Sequence, residues 1–279
     1  MRWGGGRTGG NIEDRRGLGP VGVAGGGIGA ALLALAGYFF FGIDPSTTMN
    51  AANQLAPQAQ QEGEHGTPQD EAGRFVDVVE TSAQDVWTPL FAARGEKYTP
   101  PESIVLYEQN TSTGCGLGQS AMGPFYCPRD QRVYLDLSFW QELETQFGAK
   151  GEFARAYVIA HEIGHHIQNL TGQMERAGGK GAESGSVRLE LQADCYAGVW
   201  AARAPETSGG AIGIDPADIQ SGLSAASAVG DDTIQKRTQG QVVPDAFTHG
   251  SAEQRMRWFQ RGYERGDPAA CDTFSAARL

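Results

Sequence analysis

Basic residues are in short supply in this chain of 279 residues, where 22 lysines and arginines face 33 acids for a net charge of −11. That balance argues against nucleic-acid binding, because neutralising phosphates requires clustered Lys and Arg. Histidine is scarcer, with only His65, His161, His165, His166 and His249. There are four cysteines and no Cys-x-x-Cys pair, which argues against a cysteine-rich zinc site. No internal repeat is evident. Two stretches are defined by absences: 17–43 has no charged residue, and 44–73 has almost no large apolar side chain.

Three of the five histidines fall in Ala160-His161-Glu162-Ile163-Gly164-His165-His166. On a helix, His161 and His165 share one face and can share a metal ion. Glu162 beside them is placed to take a proton from a metal-bound water. His166 points off that face, toward packing or an outer contact.

The uncharged stretch reads as a membrane anchor. Leu32, Leu33, Leu35, Tyr38, Phe39, Phe40 and Phe41 make its second half strongly apolar, and spanning a bilayer takes about 20 apolar residues. Residues 1–16 carry Arg2, Arg7, Arg15 and Arg16 against Glu13 and Asp14, a net +2, while the rest of the chain is acidic. The positive-inside rule therefore predicts a cytoplasmic tail over 1–16, a single-pass anchor over 17–43 and an extracytoplasmic bulk. A cleaved signal peptide competes at Ala34-Leu35-Ala36, but the aromatic run beyond it favours an uncleaved anchor. Gly22 with Gly26, and Gly25 with Gly29, have a spacing that permits oligomerisation through the anchor helix. Gly17, Gly19 and Gly22 also match a dinucleotide fingerprint, with no preceding strand to support it. Residues 44–73 read as a flexible linker with His65 solvated, since they offer too little apolar surface to offset chain entropy.

The globular part is expected over 74–279. Phe75, Val76, Val79, Val86, Leu90 and Phe91 recur at helical spacing. Strands are expected over 103–107 and 132–137, a helix over 138–147, and between the strands a Gly-rich loop bounded by Cys115 and Cys127. A second helical stripe runs from Phe153 to Leu170, and further helices over 186–203, after Asp215-Pro216, and from the Ser251/Gln254 capping box through Tyr263. Two strands among several helices predict a mostly helical α+β domain with a small sheet and the metal site on helices. The strand 132–137 is a candidate for pairing with an extended peptide. Four thiols allow three connectivities. Pairing Cys115 with Cys127 leaves Cys195 with Cys271, which suits an oxidising compartment.

Catalytic zinc generally takes three protein ligands and keeps one position for water. The third is expected from Glu190 or Asp194, four residues apart on one helix face. One can bind the metal while the other accepts a hydrogen bond from a ligand imidazole. A solvated acidic face is the ordinary reading of such a pair. Here Leu191, Ala193, Ala197, Gly198, Val199 and Trp200 describe a tightly packed helix, where carboxylates need partners.

Together, His161-Glu162-x-x-His165, Glu190-x-x-x-Asp194 and Thr248-His249-Gly250-Ser251 with Arg255 resemble gluzincin metallopeptidases. His161 to Gln168, Leu189 to Gly198 and Gly123-Pro124-Phe125-Tyr126-Cys127-Pro128 are more closely similar to the putative neutral zinc metallopeptidase family. The resemblance implies a gluzincin-like domain with Zn2+ on His161, His165 and Glu190. It implies Glu162 as the base, His249 as a catalytic hydrogen-bond donor to the oxyanion, and Asp194 and Arg255 as supports behind the ligands. The expected function is membrane-anchored zinc endopeptidase, acting on a protein or peptide. A non-catalytic zinc-fold scaffold of the envelope and a zinc amidase acting on cell-wall crosslinks are its rivals.

Overall fold

The computed structural model describes residues 1–18, 62–145 and 148–279. Helix α1 (Glu71–Ala92) starts where Asp70 accepts a hydrogen bond from the Gly73 amide. It buries Val76, Val79, Val86 and Trp87 along one face. The remaining helices are α2 (Phe139–Thr145), α3 (Glu152–Leu170), α4 (Gly185–Thr207), α5 (Pro216–Ala228), α6 (Asp231–Gln239) and α7 (Ala252–Arg265). Both expected caps form: Asp215 opens α5 and Ser251 opens α7, each through a capping box.

The strands are β1 (Ile12–Asp14), β2 (Glu64–His65), β3 (Ser103–Tyr107), β4 (Asn110–Thr113), β5 (Gly116–Gln119), β6 (Phe125–Cys127) and β7 (Arg132–Asp136). Five of them form a mixed sheet in the order β2-β1-β3-β7-β6. The pairs β1–β3 and β3–β7 are parallel, while β1–β2 and β6–β7 are antiparallel. The other two, β4 and β5, form a separate hairpin. The buried run Ile104-Val105-Leu106 suits a central strand whose two faces are both covered. The protein is thus α+β, with a small sheet beside a larger helical layer.

Helix α4 lies at the centre of that layer and packs on α7, α3 and α1. Its crossing with α7 depends on small residues. A Cβ on Gly262 would lie 1.9 Å from the Cys195 carbonyl oxygen, and one on Gly198 would lie 2.1 Å from that of Phe259. Phe153 stacks on Trp200 and meets Phe259 edge-on, tying α3 into the same core.

The N-terminus departs from expectation. Residues 1–16 are not a separate tail, because β1 is an inner strand of the sheet and Ile12, paired with Ile104, is fully buried. Glu13 and Arg15 form a buried ion pair at 2.6 Å, and Arg15 Nη1 also donates to Thr111 and to the Ser112 carbonyl. The other arginines read as topology signals have partners in the same body: Arg2 with the Gly210 carbonyl, Arg7 with Asp85, and Arg16 with Asp14 and Asp70. The physical reason is local. A short Ile-Glu-Asp strand carries no periodicity long enough to be seen, and its strand partner around Ile104 and the acids Asp70 and Asp85 that meet the flanking arginines lie far along the chain.

The expected anchor over 17–43 and most of the linker lie outside the described residues. No helix among the described residues is long and apolar enough to cross a membrane. The described end of the linker is structured: Glu64–His65 pairs with β1, with His65 exposed, and Glu71 begins α1. Both disulfides form as expected, Cys115–Cys127 and Cys195–Cys271.

Candidate metal centre

Helix α3 carries His161 and His165 on one face, with ring centroids 4.8 Å apart. Gly164, between them, faces Ala193 of α4. A Cβ at Gly164 would lie 3.1 Å from the Ala193 Cα, so glycine here lets the two backbones approach closely. That approach delivers Glu190. Its Oε2 is 3.3 Å from His161 Nε2, and its Oε1 is 3.5 Å from His165 Nε2. The three side chains each offer a ligand atom, all within 4.8 Å of one another.

The far nitrogen of each imidazole is held by another residue. His161 Nδ1 donates to Asp194 Oδ1 at 2.9 Å, and His165 Nδ1 donates to Gln168 Oε1 at 2.8 Å. Those bonds leave both Nε2 atoms directed at Glu190, as metal ligands need. Asp194 is fully buried and also accepts from Tyr157 Oη at 2.5 Å and from Arg255. Burial alone would raise its pKa, but Arg255 and His161 hold it down at about 2. Gln168 is fixed in turn, donating to the Leu189 carbonyl at 2.6 Å and to Gln192 at 3.1 Å.

This donor set fits a cation. Burial would lower the pKa of His161, yet Asp194 and Glu190 beside it raise it to about 10. Glu190 is shifted the other way: burial would raise its pKa, but His165 and His161 push it well below the carboxylate range. Arg255 already answers the charge of Asp194, so the half-buried Glu190 carboxylate is the one that calls for positive charge at the two Nε2 atoms, and a divalent metal would supply it in place of the proton.

A cavity of about 540 Å³ opens over the cluster. Glu162 and His249 line it with the three ligand candidates, and Met122, Phe125, Phe139, Val158 and Ile234 supply apolar wall. His249 is held by Asp231 at the start of α6, whose Oδ2 accepts from the Thr248, His249 and Gly250 amides. Asp231 Oδ1 lies 3.3 Å from His249 Nδ1 and, against burial, raises the pKa of that imidazole. The strand beside the cavity is β6, an edge of the sheet. Strand β7, the expected partner for a peptide, lies between β3 and β6 and has no free edge. The free edge on this side was not legible in the sequence because β6 is only three residues long and sits within the Gly-rich loop.

The chain matches the family described as putative neutral zinc metallopeptidase over residues 1–274. It belongs to that family. It is also 42% identical over 292 residues to the uncharacterized protein YpfJ of Escherichia coli strain K12, covering 98% of this chain and 99% of that one. It is 51% identical over 222 residues to the uncharacterized protein Rv2575 of Mycobacterium tuberculosis strain H37Rv, covering 75% of this chain and 74% of that one. No solved structure matches.

Membership gives the cluster a chemical context: a zinc peptidase in general. The structure brings His161, His165, Glu190, Asp194 and Arg255 into one assembly, with Glu162 and His249 on the same cavity wall. Arg255 contacts Asp194 directly rather than His249. His166 is fully buried away from the cluster, donating from Nε2 to the Thr99 carbonyl at 2.8 Å and accepting from Tyr126 Oη at 3.0 Å. Sequence reasoning missed Gln168, Tyr157 and Asp231. Gln168 lies three residues after His165 on the same helix, a spacing that could have flagged it. Asp231 had no such signal, because its contact with His249 is made by the fold.

Proposed function

We propose that this protein is a zinc-dependent endopeptidase whose ligands are His161, His165 and Glu190. The convergence of His161 Nε2, His165 Nε2 and Glu190 beneath an open cavity that Glu162 also lines carries this reading. Zinc, when bound, acidifies a water to a pKa of about 7 and polarises the scissile carbonyl. The rest falls to the chain's own side chains. Glu162 accepts the proton of the attacking water as its oxygen bonds to the carbonyl carbon. It returns that proton to the amine as the carbon–nitrogen bond breaks. His249, kept in its donor form by Asp231, hydrogen-bonds the carbonyl oxygen as negative charge develops there, a contribution of about 3 kcal/mol for such a donor. Asp194 and Gln168 hold the two imidazoles in the orientation that ligation needs.

The substrate lies extended along the β6 edge, where backbone pairing would align it with the cluster. The apolar wall formed by Phe125, Phe139 and Val158 favours a large apolar side chain near the scissile bond. Two disulfides support an oxidising, extracytoplasmic location for the domain.

The test compares wild type with Glu162→Gln on a peptide library, with zinc measured in both. Both proteins should hold about one zinc per chain. The variant should lose roughly 10²–10⁴ in turnover, as expected for a general base. Equal turnover, or a wild-type protein that binds zinc and cleaves nothing, would overturn the peptidase reading.

A further inference from the structure

The two disulfides differ in access. Cys195 and Cys271 are both fully buried, where α4 meets the C-terminal segment. In the other pair Cys127 is buried but Cys115 is exposed, because Gly114 and Cys115 make the two-residue turn of the β4–β5 hairpin. Thiol–disulfide exchange requires a thiolate to reach a sulfur of the bond, so access alone separates the two pairs.

The exposed pair stands beside the cavity. Phe125 and Cys127 share one face of β6 and Tyr126 takes the other, as strand alternation requires. Tyr126 Oη bonds His166 and Asn169 of α3, the helix that carries His161 and His165. On the opposite face, Cys127 joins Val105, Tyr107 and Tyr134 in a small buried cluster separate from the main core, with Phe125 packed against it. The hairpin lies over that cluster. Gly118 of β5 meets the Phe125 ring so closely that a Cβ there would lie 2.8 Å from Cζ, and the ring stacks on Tyr134 at 5.0 Å. Phe125 therefore lines the cavity with the hairpin, not the main core, behind it.

The hairpin is otherwise held by polar contacts. Arg15, which lies over the Tyr134 ring, donates to Thr111 and to the Ser112 carbonyl, and the Gly114 amide donates to Asp130 at 2.6 Å. Water can replace such bonds, but it cannot replace a covalent one. Ser112 Oγ and Tyr107 Oη are buried without a hydrogen-bond partner among the described residues. Water entering beneath a lifted hairpin would satisfy both, which lowers the cost of opening.

We propose that Cys115–Cys127 is a thiol-reducible tether that positions the Phe125 wall of the cavity. A thiolate attacks Cys115 Sγ, the sulfur–sulfur bond breaks, and Cys127 leaves as a thiolate. A second thiolate attacks the reagent's sulfur and frees Cys115. The two reagent thiols end as a disulfide, and their protons pass to the two cysteines. With the tether open, the hairpin lifts from Phe125 and the cleft loses a firm apolar wall. His161 and His165 stay in place, because Asp194 and Gln168 hold them without the hairpin. The effect on cleavage rests on the peptidase reading; the opening of the tether does not.

The test treats the oxidised full chain with reduced glutathione, then alkylates free thiols and locates them by mass spectrometry. Cys115 and Cys127 should open roughly tenfold faster than Cys195 and Cys271. Equal rates, or opening of either pair only on unfolding, would overturn the inference. Hydrogen exchange reads the consequence in the glutathione-opened protein and in the Cys115→Ala/Cys127→Ala variant. Amides of β5 and β6 should exchange several-fold faster, with α3 and α4 unchanged. Unchanged protection in β5 and β6, or equal loosening of α3, would overturn the positioning role. With a peptide that the oxidised protein cleaves, opening should raise KM several-fold and leave kcat and zinc content as they were. An unmoved KM would separate Phe125 from substrate binding and sink the proposal. If the oxidised protein cleaves no peptide, the peptidase reading fails, and alkylation and hydrogen exchange still decide the tether.

Discussion

Arg255 closes on Asp194 through two parallel hydrogen bonds, Nε to Oδ2 at 2.8 Å and Nη2 to Oδ1 at 2.9 Å. The pair joins α7 to α4 behind the candidate metal site and is buried on both sides. Arg255→Ala would leave Asp194 charged and unneutralised in the interior, a loss of about 3–5 kcal/mol for a broken buried pair. Denaturant unfolding measures it. A loss below about 1 kcal/mol, typical of surface pairs, would show that Asp194 does not depend on Arg255.

Glu190 and Asp194 stand one helical turn apart yet are assigned different work. Asp194→Asn should weaken zinc binding by about 10–100-fold, the usual cost of losing a partner behind a ligand. Glu190→Gln removes a ligand and should cost more. Chelator competition gives both affinities, and the reverse order would exchange the two roles.

The Asp231 carboxylate raises the pKa of His249 above its ordinary value of 6.5. A protonated His249 is the stronger donor to an oxyanion, so its contribution is present at low pH and is lost as pH rises through the raised value. Asp231→Asn should move the alkaline limb of the activity profile to lower pH. An unmoved limb would remove His249 protonation from the mechanism.

Glu13 tests whether the N-terminal segment belongs to the fold. Burial would raise its pKa, but Arg15, through a hydrogen bond and its charge, lowers it overall. Glu13→Gln should destabilise the whole domain by about 3–5 kcal/mol, because Arg15 stays buried without its counter-charge. A thermal midpoint equal to wild type would mean that 1–16 is a tail after all.

Cys195 is adjacent to Asp194, and its disulfide to Cys271 spans 76 residues of chain. Replacing both cysteines with alanine should cost about 2–4 kcal/mol through the freed unfolded chain. The cost should appear as a lower unfolding midpoint in the oxidised protein. Little change in that midpoint would show that the helical layer alone holds α7 and the C-terminal segment.

Much of the helical layer was legible in the chain. Phe153 to Leu170, the Asp215-Pro216 start and the Ser251/Gln254 box state local rules that act within a few residues, so periodicity and capping reveal them. The candidate ligand residues were legible for the same reason: His161 and His165 are one turn apart, as are Glu190 and Asp194. The β4–β5 hairpin, β6 and α6 were not, since each is short and drawn from Gly-rich or polar sequence. Strand β1 was misread outright. The arginines flanking it look like a topological signal until Asp85 is found beside Arg7 and Asp70 beside Arg16.

The sequence by itself determined which residues can carry chemistry, because a helix repeat sets which side chains share a face. It also determined that the thiols could pair off without a cysteine-rich metal site. Only the tertiary structure decided that Glu190 rather than Asp194 faces the two Nε2 atoms. The close crossing at Gly164 and Ala193 fixes that choice, and no local pattern encodes the angle between two helices. The fold also decided that the N-terminus is part of the core, since a strand pairs with partners about 90 residues away. Pairing of that range is set by the energy of the whole sheet, not by any window of sequence.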